Sequence, residues 1–292
     1  MVPMQSVRWQ EQRSILWDVA LVAGGLLLVG TTFRAYRFFE PTEGPSRHIV
    51  YSPAEADHRI ESAKSYLGSH PDSYSALTDL AIAYFQKGPD SYIDAMNALE
   101  KARAAGATND SLFYYAGVMY DALGLPDYAA NELSKYLRHY PDDYESLVRL
   151  ANVYYRENKF NEAQTLYRRA VQEWPKDPTV WFNLAVVNIE MKSLDEAASD
   201  LQQVIKLAGQ LPEGGYYQQG EIARLKGLED NAIQSYQQEL TVRPDYIPAL
   251  EALESISKHR GDMKQARALQ KKITDLKHAK AQSATGVPNA HG

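Results

Sequence analysis

The sequence predicts an all-α chain: a solenoid of about six helical hairpins preceded by one N-terminal transmembrane helix. Three observations predict it. Six alanines, Ala95, Ala129, Ala163, Ala197, Ala232 and Ala266, stand 34 residues apart, with a single step of 35 between Ala197 and Ala232. A second column, Leu99, Leu133, Tyr167, Leu201, Tyr236 and Gln270, repeats the spacing four residues later. The third is a stretch of 19 residues, 15–33, whose one charge is Asp18. A period in this range marks supersecondary units that cannot bury their own apolar faces and are stabilised by stacking on their neighbours.

In chain order, residues 1–14 form a short tail, and residues 15–33 read as a transmembrane signal anchor. As a helix the stretch reaches about 28 Å, close to the roughly 30 Å of a bilayer's hydrocarbon core. Trp9 and Trp17 flank one end and Phe33, Tyr36, Phe38 and Phe39 the other, as interfacial aromatics do. A cleaved signal peptide is the alternative, with Gly30-Thr-Thr32 its one group of small residues. Arg8 and Arg13 nearly balance Arg34, Arg37 and Arg47, so the positive-inside count leaves the side open. A tail this short favours the repeats on the extracytoplasmic side. Residues 34–53, with Pro41, Gly44, Pro45 and Pro53, form the linker. The absence of cysteine excludes disulfides, thiol catalysis and a lipid-modified cysteine.

The array spans 54–280. Residues 54–70, with Ile60, Ala63, Tyr66 and Leu67, read as a capping helix. Repeats follow near 74–109, 110–143, 144–177, 178–212, 213–246 and 247–280. The first five each carry a small residue twelve to fourteen positions before the alanine: Ala81, Gly117, Ala151, Ala185 and Gly220. These columns fit close helix crossings, where a larger side chain would overpack the contact at about 1–3 kcal/mol. Pro141, Pro175 and Pro244 end the second helices, because the residue before proline is pushed out of the α region. The first repeat is longer by two residues around Gly88-Pro-Asp90, and the last turns polar at Glu254 and Gln270, as a cap with one face in water does. The 35-residue step holds Pro212-Glu-Gly-Gly215, where a bend in the superhelix is expected. Residues 281–292 read as a disordered tail.

These positions carry a family resemblance. Leu147-x-x-Leu150-Ala151-x-x-Tyr154, Ala163-x-x-x-Tyr167-x-x-Ala170 and Pro175 match the tetratricopeptide repeat (TPR) signature throughout, and Trp181-x-x-Leu184-Ala185 with Ala197 nearly so. The chain resembles that family over residues 74 to about 280. The resemblance implies a right-handed α-solenoid whose first helices line a concave protein-binding groove. Carried over, the groove residues are Tyr114, Tyr115, Arg149, Asn152, Tyr155, Arg156, Phe182, Asn183, Tyr217, Gln218, Glu221 and Arg224, with Val118, Val186 and Ile189 between them. Tyrosine and arginine are the usual anchors of protein recognition. The family's two-carboxylate clamp finds asparagines at Asn152 and Asn183, but Val148, Gly214 and Gln218 replace its cations. An asparagine ladder is likewise broken by Tyr115, Arg149 and Gln218.

No constellation of acid, base or nucleophile emerges, and the seven histidines lack the spacing of metal ligands. Neither a cofactor nor an enzymatic activity is expected. The net charge of −6 excludes a general nucleic-acid binder. Between residues 255 and 280, Lys258, Arg260, Lys264, Arg267, Lys271, Lys272, Lys277 and Lys280 face only Asp262 and Asp275. The expected function is a single-pass, membrane-anchored scaffold that binds a protein or peptide in its groove during assembly of a cell-envelope complex. A regulatory or lipid-contacting subunit of a membrane enzyme, acting through the basic C-terminal helix, is the alternative. Self-association stays open.

Overall fold

The computed structural model describes residues 51–285, so the 15–33 segment, the 1–14 tail and the last seven residues lie outside it. Among the described residues are thirteen α-helices, one 3-10 turn and no strand. Helix α1 (Pro53–Leu67) comes first. Six pairs follow: α2 (Tyr74–Lys87) with α3 (Tyr92–Ala104), α4 (Ser111–Ala122) with α5 (Pro126–His139), and α6 (Tyr144–Arg156) with α7 (Phe160–Glu173). The remaining pairs are α8 (Pro178–Glu190) with α9 (Leu194–Ala208), α10 (Gly215–Leu225) with α11 (Glu229–Val242), and α12 (Ile247–His259) with α13 (Met263–Thr285). No described helix is long and apolar enough to cross a membrane. The chain divides into two compact units between Ala170 and Val171, within α7. The Pro212-Glu-Gly-Gly215 segment falls inside the second unit.

Local chemistry sets the helix ends. Ser52, Asp143 and Asp177 accept hydrogen bonds from the amides of Glu55, Ser146 and Thr179 at 3.2, 3.0 and 2.8 Å. Each such cap contributes about 1 kcal/mol. Prolines open α1, α5 and α8, where the missing amide donor costs nothing.

The turn inside five of the six hairpins is the same. Leu125, Lys159, Ser193, Leu228 and Asp262 donate their amides to the carbonyls of Tyr120, Tyr154, Asn188, Ala223 and Ser257, five residues back, at 2.8–2.9 Å. The residue just before each donor has positive φ: Gly124, Asn158, Lys192, Gly227 and Gly261. This closes the first helix with a left-handed residue and satisfies its last carbonyls. The first hairpin differs, since the two extra residues there form the 3-10 turn Pro89–Ser91 after Gly88.

The alanine ladder lies at the hairpin crossings. Ala95, Ala129, Ala163, Ala197 and Ala232 are wholly buried. Opposite them the small column admits its partner at contact distance: a Cβ on Gly117 would sit 2.7 Å from Leu133 Cγ, and one on Gly220 would sit 2.5 Å from Tyr236 Cε1. Leu99, Leu133, Tyr167, Leu201 and Tyr236 are the buried partners. The small column of the first helices and the column four residues after each alanine are thus the two sides of one helix contact.

Candidate protein-binding surface

The twelve residues expected along a groove lie on the first helices of four hairpins, six in each unit. Eight of them are buried: Tyr114, Tyr115, Asn152, Tyr155, Phe182, Asn183, Tyr217 and Gln218. Arg149 and Glu221 are half-buried, and Arg156 and Arg224 are exposed. Most of the expected ligand groups are therefore walls of the packed structure, and the accessible chemistry is that of three arginines and one glutamate.

In the first unit the aromatic rings pack between helices. Tyr115 meets Phe85 of α2 edge-on at 5.0 Å, and Tyr114 lies against Tyr115 and Tyr136 of α5 at 5.4 and 5.7 Å. The Tyr114 hydroxyl donates to Glu145 Oε1 of α6 at 2.5 Å, and the same carboxylate holds Arg149 at 2.9 Å. Burial pushes the Tyr114 phenol well above its ordinary value, so it stays a neutral donor. Arg156 of α6 pairs with Asp121 of α4. These contacts fix two guanidiniums on the α4–α6 surface. Tyr155 stacks edge-on with Phe160 at 5.5 Å, across the hairpin turn.

Asn152 takes a different role from the one its position suggested. It accepts the hydroxyl hydrogen of Tyr167, the large residue at its own hairpin's crossing. Glu221 does the same in the second unit, accepting from Tyr236 at 2.5 Å while Arg224 holds its other oxygen at 2.7 Å. Both polar side chains follow the small-column residue directly and reach across the crossing.

The second unit holds a group that sequence reasoning missed. Glu239 of α11, 1% exposed, accepts from the amides of Gly214 and Tyr217 at 2.9 and 3.4 Å. It caps the start of α10, whose N-cap is Gly214 with no side chain to do so. Tyr217 packs against Tyr236 and Tyr246 at 5.6 Å each, which explains its burial. Asn183 is wholly buried, and neither its amide nitrogen nor its oxygen has a partner among the described residues. A side chain so enclosed does not grip a peptide backbone in this conformation. The described residues contain no group of three or more acids and histidines placed to hold a metal.

Comparison with known proteins follows the same lines. The tetratricopeptide repeat family model matches residues 148–214. The mitochondrial import receptor subunit TOM70 of Saccharomyces cerevisiae is 26% identical over 152 residues, which is 50% of this chain and 25% of that protein. The chain therefore spans about a quarter of the length of that curated relative. Among solved structures, a tetratricopeptide repeat protein from Parabacteroides merdae is 15% identical with a TM-score of 0.58, over 76% of this chain and 87% of that one. YrrB, described as a TPR protein with an unusual peptide-binding site, is 19% identical with a TM-score of 0.56, over 67% and 99%. These matches support the tetratricopeptide repeat reading. At such identities the two structures speak to the TPR fold alone.

Proposed function

We propose that this chain is a TPR scaffold that holds a protein or peptide partner against the first helices of its hairpins. We further propose that residues 15–33 anchor it in a membrane, with the repeats on the extracytoplasmic side, where it helps to assemble a cell-envelope complex. TPR proteins generally mediate protein–protein interaction, and the similar proteins, an import receptor subunit and a protein with a peptide-binding site, accord with that class.

One observation carries the reading: the paired arginines of the α4–α6 surface. Arg149 is held by Glu145 beside the buried Tyr114, and the exposed Arg156 is held by Asp121. A guanidinium already fixed by its neighbours loses little freedom on binding the carbonyls or carboxylates of a partner. The test is a crosslinking pull-down from native membranes with the full chain. Arg149→Ala with Arg156→Ala should lose the partner, while the melting temperature falls by only a few degrees, since exposed ion pairs contribute about 0.2–1 kcal/mol. Equal capture by the double variant removes this surface from the proposal. A reporter active only outside the cytoplasm, fused after Gly292, reads the side on which the repeats lie.

A further inference from the structure

Many cations in the described residues are matched to carboxylates. Arg103 is held by Glu100 and Glu132, Lys226 by Asp195, and Arg260 by Glu229 and Asp230. The last helix gathers cations that lack such a match. In α13, Lys264, Arg267, Lys271 and Lys272 are all exposed, and none has a carboxylate within ion-pair distance among the described residues. Pairing resumes at Lys277, which meets Glu251 at 2.8 Å.

These four side chains form a ridge. Ala266 and Ile273 are the buried residues that seat α13, and the offsets of three and seven from Lys264 to Arg267 and Lys271 place those cations on the opposite face. Lys272 flanks them. The residue between Arg267 and the lysine pair on that face is Ala268, itself exposed. The ridge thus offers clustered charge with no aromatic side chain, and the one large hydrophobic exposed beside it is Met263 at the start of the helix. Helix α13 carries six Lys and Arg against one acid, Asp275, within a chain of net charge −6.

We infer that this face of α13 docks on the headgroups of an anionic lipid surface. A specific folded partner draws most of its affinity from a few large side chains desolvated at the centre of the contact, and the ridge has only Arg267, with Met263 at its edge. A headgroup layer requires only several mobile cations brought within a Debye length of diffuse negative charge. Because the rest of the chain is acidic on balance, attraction is confined to this helix and the contact has one orientation. The inference depends neither on residues 15–33 nor on the α4–α6 surface.

The chain has no native cysteine, so Ala268→Cys in the full-length protein places one fluorescent donor on the ridge. Vesicles of phosphatidylcholine, with or without one-third phosphatidylglycerol, carry an acceptor in the headgroup layer, and co-sedimentation counts bound chains separately. Energy transfer per bound chain should be at least about fivefold higher on the anionic vesicles and collapse in 0.5 M salt, where the Debye length is about 4 Å. Replacing all four cations by glutamine should abolish the difference, with an unchanged helical circular dichroism signal because all four are exposed. Equal transfer on both vesicle types, or transfer that survives the fourfold substitution, overturns the inference. Salt-sensitive transfer to acceptor-labelled polyglutamate exceeding that to the vesicles assigns the ridge to acidic protein and also overturns it. Loss of co-sedimentation on pure phosphatidylcholine reports on the 15–33 anchor alone.

Discussion

The hairpins α4/α5 and α6/α7 cross in the same place with different chemistry. In α4/α5 the small residue is Gly117, the large one Leu133, and the residue after the glycine is Val118. In α6/α7 these are Ala151, Tyr167 and Asn152, and the tyrosine hydroxyl bonds the asparagine. The same rule holds along the chain: Leu99 and Leu201 go with Ile82 and Val186, whereas Tyr236 goes with Glu221. A buried hydroxyl left without a partner costs about 1–3 kcal/mol, so a tyrosine at the crossing demands a polar side chain one step past the small residue. A leucine there demands an apolar one. The polar residues that look like groove ligands in two hairpins are therefore required by the core.

The largest test removes the crossing residue itself. Tyr167→Ala should destabilise the chain by about 3–5 kcal/mol, read as a shift in the urea midpoint, and Leu133→Ala by about 2–5 kcal/mol. The sharper test separates polarity from size. Asn152→Ala, which removes the side-chain acceptor of the Tyr167 hydroxyl, should cost about 1–3 kcal/mol. Combining Tyr167→Leu with Asn152→Val copies the α8/α9 crossing of Ala185, Leu201 and Val186 and should recover most of that loss. A double variant as unstable as Asn152→Ala would break the rule.

The sequence made much of this visible, because a repeat turns packing into a period. The alanine column, the small column and the hairpin turns all recur at the same spacing, and each proves to be a close contact or a left-handed residue. The covariation of the crossing residue with its polar or apolar neighbour was written there too. It was obscured because position in the first helix alone made Asn152 and Glu221 look like groove ligands. Glu239 also left a signal, standing where the other repeats have Ala102, Tyr136, Ala170, Val204 and Ile273. Its partners, the amides of Gly214 and Tyr217, are backbone groups 25 and 22 residues away. Side-chain periodicity carries no trace of those. Burial of Tyr115 and Tyr217 was equally hidden, because it depends on rings from neighbouring helices rather than on spacing within their own.

The two kinds of crossing should also part company in alkali. Burial raises the phenol of the crossing residue Tyr236 above the ordinary value of 10.0, while Leu133 at the α4/α5 crossing has nothing to titrate; Tyr114 and Tyr120, raised in the same way, lie on α4 and are not crossing residues. In the unfolded chain these phenols ionise near that ordinary value, and in the folded chain they stay protonated beyond it. Their contribution is complete below pH 10 and is lost as pH rises through and above it. Stability should fall by up to about 1.4 kcal/mol per pH unit for each such tyrosine, and Tyr236→Phe should remove one share of the slope. An unchanged slope in that variant would place Tyr236 outside the set of buried phenols.

The smallest effect concerns the turns, which ought to be indifferent to what crosses beneath them. Lys192 closes the first helix of a leucine hairpin with φ of 62°, and Asn158 does so in a tyrosine hairpin with φ of 57°. For a residue with a Cβ the left-handed region costs about 1–2 kcal/mol, less for asparagine, and glycine escapes it at some entropic cost. Lys192→Gly should therefore raise stability by about 0.5–1 kcal/mol, and Asn158→Gly by less. The Lys192→Gly gain should persist unchanged in the Asn152→Ala background, because independent sites add. A gain that differs between the two backgrounds would mean that turn and crossing are coupled, and that the tyrosine and leucine hairpins differ in more than the one polar contact.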